Sequence, residues 1–140
     1  MPQIDENFST IILVGGKGSR FSNIESPPKH LTKLNKNLIL INILNYINKS
    51  GFKHFIFPLG YKKKYFIKFF QSKHNQSKFQ FKIIKNKVTH KDLQSEKKII
   101  SYFDAGKSTN KMTRIIKSKK YSNFDNFLIV YGDDIVNVNF

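Results

Sequence analysis

Ile11-Ile12-Leu13-Val14 leads directly into Gly15-Gly16-Lys17-Gly18-Ser19-Arg20, so a short apolar strand ends in a glycine-rich loop. Three glycines within four positions let the backbone turn tightly and present its N–H groups. A row of such donors binds phosphate, and the guanidinium of Arg20 adds a fork of donors that fits phosphate oxygens. Arg20 and Arg114 are the only arginines among 25 basic residues, which indicates that geometry as well as charge matters at Arg20. The stretch therefore predicts a phosphate-binding loop after a core strand.

Two other glycine-loop motifs do not fit this segment. The residues Gly16-Lys17-Gly18-Ser19 lack the spacing of a P-loop. A dinucleotide-binding fingerprint needs a third glycine where Phe21 stands, followed directly by a helix. Residues 22–28 are instead typical of a loop. A glycine turn with a purely structural role is the alternative interpretation.

Length and composition indicate a single domain. A chain of 140 residues can form about one domain with its own core, and the absence of cysteine excludes a disulfide framework. Residues 1–8 are expected to be a flexible N-terminus, and their polar, acidic character is not that of a signal peptide. No apolar run approaches the ~18 residues of a membrane span. We expect a soluble, cytoplasmic protein with no membrane partner.

The net charge of +16 raises the alternative of a basic nucleic-acid-binding module. However, the lysines are spread along the chain without a long basic tail, and lysine, asparagine, isoleucine and phenylalanine are all abundant, as A+T-rich codon usage would produce. A+T-rich codon usage therefore explains the basic composition better than nucleic-acid binding does. The positive field would still attract a small polyanion such as a nucleotide.

Strand and helix patterns alternate along the chain. The predicted strands cover residues 10–14, 54–59, 79–85, 99–103 and 127–131. Helices are predicted over 40–49 and 61–70, and from a cap at Ser108 or Thr109 to about Lys119, with Met112, Ile115 and Ile116 on one face; residues 75–77 and 88–96 are predicted loops. This order predicts an α/β fold, a Rossmann-like three-layer α/β/α sandwich with a mainly parallel sheet.

A second site signal is Gly132-Asp133-Asp134, which follows the last predicted strand. Ligands bind at the carboxyl ends of parallel strands, where the glycine loop is also expected. A carboxylate on a strand end that faces a phosphate loop suits Mg²⁺. A turn or a helix cap is the alternative role of this aspartate pair.

Residues 13–21, Pro28-Lys29 and Tyr131-Gly132-Asp133, in this order, resemble the sugar-1-phosphate nucleotidyltransferases. Within that family they most resemble the glucose-1-phosphate cytidylyltransferases. Further matches are residues 50–62, Asp104-Ala105-Gly106 and Arg114-Ile115.

The resemblance implies transfer of CMP from CTP to glucose 1-phosphate, which forms CDP-glucose and pyrophosphate. It implies that Arg20 binds the outer phosphates and that Lys29 stabilises charge at the α-phosphate, both as catalytic residues. Asp133 would hold Mg²⁺ as the cofactor, and Asp104 and Gly106 would lie near the base and sugar. The implied nucleotide-binding residues are Leu13, Gly15, Gly16, Gly18, Ser19, Arg20, Lys29, Asp104 and Gly106.

The sequence also departs from the family pattern. His30 replaces a proline, and Lys111-Met112-Thr113-Arg114 replaces Thr-Gly-Gly-Arg. Because family catalytic domains are much longer, residues 1–140 are expected to form a partial, truncated domain, the nucleotide-binding half. Its activity would then be incomplete unless a second polypeptide or homo-oligomerisation completed it. A non-catalytic nucleotide-binding remnant is the alternative.

Overall fold

The computed structural model describes residues 8–14, 26–122 and 126–131. The strands are β1 (Phe8–Leu13), β2 (Lys33–Leu34), β3 (Asn37–Leu38), β4 (His54–Leu59), β5 (Phe81–Ile83), β6 (Lys98–Asp104) and β7 (Asn126–Tyr131). The helices are α1 (Ile39–Lys49), α2 (Lys63–Gln71), α3 (Lys73–Lys78), α4 (His90–Leu93) and α5 (Lys111–Ser118), with single 3₁₀ turns at Lys29–Leu31 and Lys119–Tyr121. Within these ranges, no helix combines the length and apolar character needed to cross a lipid bilayer.

Five strands form one parallel sheet in the order β5-β6-β4-β1-β7, and β2 pairs with β3 as a separate hairpin. Because every strand of the main sheet runs in the same direction, all five carboxyl ends lie at one edge. β1 lies between β4 and β7, and Leu13 at its end is the register partner of Tyr131. The sheet therefore brings strand ends together that are far apart in sequence.

Helices cover both faces of the sheet. On one face, Phe55 and Phe57 of β4 pack in a cluster with buried residues of α1 and α2. On the other face, Ile56 packs with Ile11 and with Ile115 of α5. Successive strand residues point to opposite faces, so a continuous apolar strand needs cover on both sides. The predicted α/β three-layer sandwich with a parallel sheet is confirmed.

A buried polar chain crosses the sheet near the beginnings of its strands. His54 is fully buried; its Nδ1 lies 2.8 Å from Ser9 Oγ and its Nε2 lies 2.9 Å from Ser101 Oγ. Ser9 Oγ also lies 2.7 Å from Ser122 Oγ. Burial lowers the pKa of His54 to about 4, so the ring is neutral at pH 7. This histidine is therefore a structural core residue.

Both predicted loops contain helix. Residues 75–77 lie within α3, which Ser72 caps by accepting a hydrogen bond from the Asn75 N–H. Residues 88–96 contain α4, which begins with a reciprocal capping box between Thr89 and Asp92. Side-chain caps rather than an apolar stripe begin these short helices, so hydropathy could not reveal them.

The predicted bounds and faces of two other elements were also wrong. Helix α5 is capped by Asn110, whose side chain accepts from the Thr113 N–H, and not by Ser108 or Thr109. Met112 and Ile116 are exposed, whereas Arg114 and Ser118 are the buried residues of α5. The predicted strand 79–85 shortens to β5, because Gln80 has a φ of 54° and turns the chain after Phe79.

The last strand is not a core strand along its whole length. β7 is an edge strand of the main sheet among the described residues, and Ile129 and Tyr131 are both exposed. An edge strand has one neighbour only, so its side chains lose cover that a central strand receives from both sides. Val130 is the buried residue of this strand.

Candidate functional site

The sheet places the ends of β1 and β7 side by side at its carboxyl edge. Leu13 is buried and forms the last register pair with Tyr131. The predicted phosphate loop follows β1 and the predicted metal aspartate follows β7, so the order of strands agrees with a common site at this edge. Those site residues themselves lie outside the described ranges: Gly15, Gly16, Gly18, Ser19, Arg20 and Asp133.

An open cleft of about 650 Å³ lies at the same edge, beside the ends of β4 and β6. Its lining consists of Gly60, Tyr61, Lys62, Lys63, Lys64, Tyr65, Lys68, Asp104 and Lys107. The lining carries five lysines and one aspartate, so its net charge is strongly positive. Such a cleft concentrates anionic ligands, and its two tyrosines offer ring faces for an organic group.

Lys63 and Asp104 form an ion pair at this cleft, with Nζ 2.6 Å from Oδ2. The other carboxylate oxygen, Oδ1, accepts a hydrogen bond of 3.0 Å from the Gly106 N–H. The hydrogen bond from Lys63 and, to a smaller extent, the one from the Gly106 N–H lower the pKa of Asp104. The Asp104 carboxylate is thus ionised at neutral pH and held at the end of β6, while Lys63 remains half exposed and accessible to an anion.

Lys29 lies in a segment that is bonded to a residue of the cleft lining. The Lys62 ammonium donates to the Ser26 carbonyl at 2.9 Å, which ties the chain just before Lys29 to the rim of the cleft. The Lys29 carbonyl accepts bonds from the N–H and the hydroxyl of Thr32, and the Lys29 side chain is exposed. Its backbone is therefore fixed while its ammonium group stays available to a ligand.

The loops after β4 and β6 lie in close contact, and this brings Gly106 to the site. The Ala105 N–H donates to the Leu59 carbonyl at 2.8 Å. Gly106 has a φ of +99°, in the region that favours glycine, and its carbonyl accepts from the Thr109 hydroxyl at 2.8 Å. A Cβ on Gly60 would lie 3.1 Å from the Gly106 carbonyl oxygen. Asp104 and Gly106, predicted near the base and sugar, thus lie at the carboxyl edge.

Sequence reasoning missed three features of this site. Lys62 was noted only as the end of the family match over residues 50–62, and Lys63 was not singled out, because nothing local distinguishes it among so many lysines. Arg114 was matched to the family pattern, but its place in the fold was not predicted. In the structure its guanidinium is buried behind Gly60, and its rarity in this composition was the signal that could have marked it.

A magnesium site depends on residues beyond the described ranges. Within those ranges, no group of three or more histidine, aspartate or glutamate side chains could hold a metal ion. Asp104 is the carboxylate of the cleft, and it is already bound by Lys63 and by the Gly106 N–H. The described residues alone therefore do not form a metal site, and Mg²⁺ remains a prediction that depends on Asp133.

Comparison with known proteins agrees with the motif resemblance. No protein-family model matches the chain. A probable glucose-1-phosphate cytidylyltransferase of Bacillus subtilis (strain 168) is 32% identical over 92% of this chain. The chain spans about half the length of that relative, 51%. The predicted resemblance is therefore confirmed, since nearly the whole of this chain is similar to about half of that relative.

Proposed function

We propose that this chain is the nucleotide-binding half of a cytidylyltransferase that transfers CMP from CTP to glucose 1-phosphate. The observation that carries the proposal is the carboxyl edge of the sheet, where β1 and β7 end side by side next to a lysine-lined cleft. The name of the relative supports the choice of substrates.

The proposed reaction is a direct displacement. A phosphate oxygen of glucose 1-phosphate attacks the α-phosphorus of CTP, the bond from that phosphorus to the bridging oxygen of the β-phosphate breaks, and pyrophosphate leaves. No bond to the protein forms, so the protein contributes positioning and charge neutralisation. Mg²⁺, bound at Asp133, would neutralise part of the phosphate charge.

The residues have separate tasks in this proposal. The N–H groups of residues 15–18 and the Arg20 guanidinium bind the triphosphate, and Lys29 stabilises charge at the α-phosphate. Asp104 and Gly106 contact the nucleoside and the sugar at the edge of the cleft. The cleft lysines attract the two anionic substrates before these groups bind them.

Titration calorimetry tests the nucleotide part of the proposal. CTP, dTTP, ATP and GTP are titrated into the purified chain with and without Mg²⁺, and we expect the tightest binding for CTP with Mg²⁺. Duplex DNA at physiological salt is the competing ligand. Tighter binding of DNA than of every nucleotide would overturn the proposal in favour of a nucleic-acid-binding module.

A pyrophosphate-release assay with CTP and glucose 1-phosphate tests the catalytic part. Turnover that is lost in Asp133→Asn would support the enzyme. Nucleotide binding without turnover would support the alternative of a non-catalytic nucleotide-binding protein. Sedimentation velocity on the same sample measures whether copies of the chain associate, and adding a candidate second polypeptide extends the assay to a split enzyme.

A further inference from the structure

Arg114 is a buried cation that lies between two loops of the candidate site. It belongs to α5 and is 5% exposed. A Cβ placed on Gly60 would lie 2.6 Å from Arg114 Nη2 and 3.2 Å from its Cζ. The guanidinium therefore packs directly against the backbone that follows β4, so close that a side chain at position 60 would displace it.

The same guanidinium holds the loop that follows β6. Arg114 Nε donates to Thr109 Oγ1 at 3.2 Å, and the Thr109 hydroxyl donates to the Gly106 carbonyl at 2.8 Å. One turn further along α5, Lys117 Nζ donates to the Ala105 carbonyl at 3.2 Å. Helix α5 thus supports this loop with two cations, of which Arg114 also contacts the loop after β4.

These two loops adjoin the ion pair of the cleft, since Lys63 follows the first loop and Asp104 precedes the second. The Lys63 N–H donates to the Gly60 carbonyl at 3.1 Å. The position of Gly60 therefore sets where α2 starts and where the Lys63 side chain lies. The Gly106 N–H bonds to Asp104, so the position of Gly106 sets the carboxylate. A shift of either loop would move one member of the pair relative to the other.

We propose that Arg114 is a positioning residue that clamps the loops after β4 and β6 together and so fixes the Lys63–Asp104 side of the cleft. Its planar group contacts Gly60 with one edge while Nε bonds to Thr109, and a lysine ammonium cannot do both. This accounts for an arginine in a chain that otherwise uses lysine almost throughout.

The energetics of burial agree with a functional reason for this residue. In residues 8–14, 26–122 and 126–131, the guanidinium pairs with no carboxylate, and desolvation lowers the pKa of Arg114. Removing a cation from water is unfavourable for folding compared with burying an apolar side chain. Its position between the loops explains why a cation is present in this place.

Amide hydrogen exchange on the unliganded protein tests the clamp. Two of the hydrogen bonds between the β4 chain and the β6 chain flank the paired strands: Ala105 N–H to Leu59 O at the clamp, and Ile99 N–H to Lys53 O at the opposite end. In Arg114→Lys, we expect exchange at Ala105 to accelerate about tenfold while exchange at Ile99 stays unchanged. Equal acceleration at both amides would indicate general destabilisation and would overturn the proposal, as would no change at Ala105.

Two further variants make this test decisive. Thr109→Val removes the hydroxyl that links Arg114 to Gly106 and keeps the side-chain shape, so it should also accelerate exchange at Ala105 only; it decides the question if Arg114→Lys does not fold. Met112→Gln changes an exposed residue on the same helix and should leave both amides unchanged. Faster exchange at Ala105 in Met112→Gln would overturn the assignment to Arg114.

Nucleotide affinity tests the consequence for binding, which rests on the proposed function. We expect Arg114→Lys to weaken CTP binding about tenfold, and Gly60→Ala to do the same because its methyl group displaces the guanidinium. In the Arg114→Lys background, Gly60→Ala should add less than about twofold, since the group it displaces is gone. Fully additive losses would mean that Arg114 acts without the clamp, for example by contacting the ligand itself. If the unmodified chain binds no CTP, the proposed function fails while the exchange experiment still decides the clamp.

Discussion

Lys63 at the start of α2 and Asp104 at the end of β6 form an ion pair. Asp104 is the one acidic residue that lines the cleft, so the pair places this carboxylate beside one of the five lining lysines. Both side chains are about half exposed, so solvent screens the pair and its contribution to folding stability is at most about 1 kcal/mol. The pair therefore matters more for the charge that the cleft presents than for the fold.

Removing this carboxylate charge should strengthen anion binding. Asp104→Asn keeps an oxygen for the Gly106 N–H and releases Lys63, so we expect pyrophosphate to bind about threefold to tenfold more tightly at low salt, with a smaller gain at high salt. Titration calorimetry measures both. Glu96→Gln makes the same change of net charge at an exposed position outside the cleft lining. Equal gains in the two variants would show that only the overall charge of the protein matters.

His54 makes stability depend on pH. Its pKa is lowered to about 4 in the folded protein by burial, whereas an unfolded histidine titrates near 6.5. Between these values the unfolded chain binds a proton that the folded protein excludes, so stability is complete above about pH 6.5 and falls as the pH drops toward 4. The loss attributable to this residue amounts to about 3 kcal/mol.

Urea unfolding at several pH values checks this dependence. His54→Gln can still hydrogen-bond to Ser9 and Ser101 and should remove most of the loss between pH 6.5 and 4, even if it lowers stability at neutral pH. His74→Gln, at an exposed position, should keep the full pH dependence. An unchanged slope in His54→Gln would contradict the assignment of the effect to the buried ring.

Replacement of Arg20 by lysine should weaken triphosphate binding. Arg20→Lys preserves the charge but loses the bidentate fork, so we expect CTP affinity to fall by about 1–2 kcal/mol. Calorimetry with Mg²⁺ present measures the change. The reverse exchange at an exposed site, Lys91→Arg, should have no effect. The same affinity for Arg20→Lys and the unmodified chain would mean that Arg20 contributes charge alone.

The exposed apolar residues near α5 and β7 should promote association. Met112 and Ile116 on α5 and Ile129 on β7 are 64%, 57% and 42% exposed. Apolar side chains that share one side of a sheet favour contact with other molecules. We expect Ile116→Lys combined with Ile129→Lys to reduce concentration-dependent association in sedimentation velocity. Leu34→Lys on the β2–β3 hairpin is the matched control, and an equal reduction there would argue against a specific surface.

Helices and strands with a clear pattern of buried apolar residues could be predicted from the sequence. The apolar run His54–Leu59, which ends at Gly60, forms β4 with the predicted bounds, because a strand buried on both faces needs an unbroken apolar run. α1 differs from its prediction by one residue, since its buried positions recur with a helical period.

Elements without an apolar signature could not be predicted in this way. α3 has no buried residue; its Asn75 and Gln76 side chains instead donate to the carbonyls of Phe69 and Phe70. α5 presents Arg114 rather than Met112 to the protein interior. Its orientation depends on tertiary contacts with the loop at Gly106, which a single sequence does not display.

The candidate site was predictable in its location and not in its detail. The glycine loop and the aspartate after the last strand indicated the carboxyl edge of the sheet, and the strand order agrees with this. Lys63 could not be distinguished, because its role arises from contact with Asp104, a residue distant in sequence. Pairings of this kind become visible only once the strands are placed side by side.

The pairing of β1 with β7 has a consequence for how the protein folds during synthesis. β1 is the first and β7 the last of the described strands, so more than 100 residues separate two strands that lie side by side. β4 is made much earlier and can pair with the other side of β1 at once, whereas contacts between distant segments form slowly because a long loop must close. The edge at which Leu13 and Tyr131 meet is therefore expected to be the last part of the described sheet to assemble. On the ribosome, we expect the nascent chain to form the core around β4 before the edge that carries the candidate site.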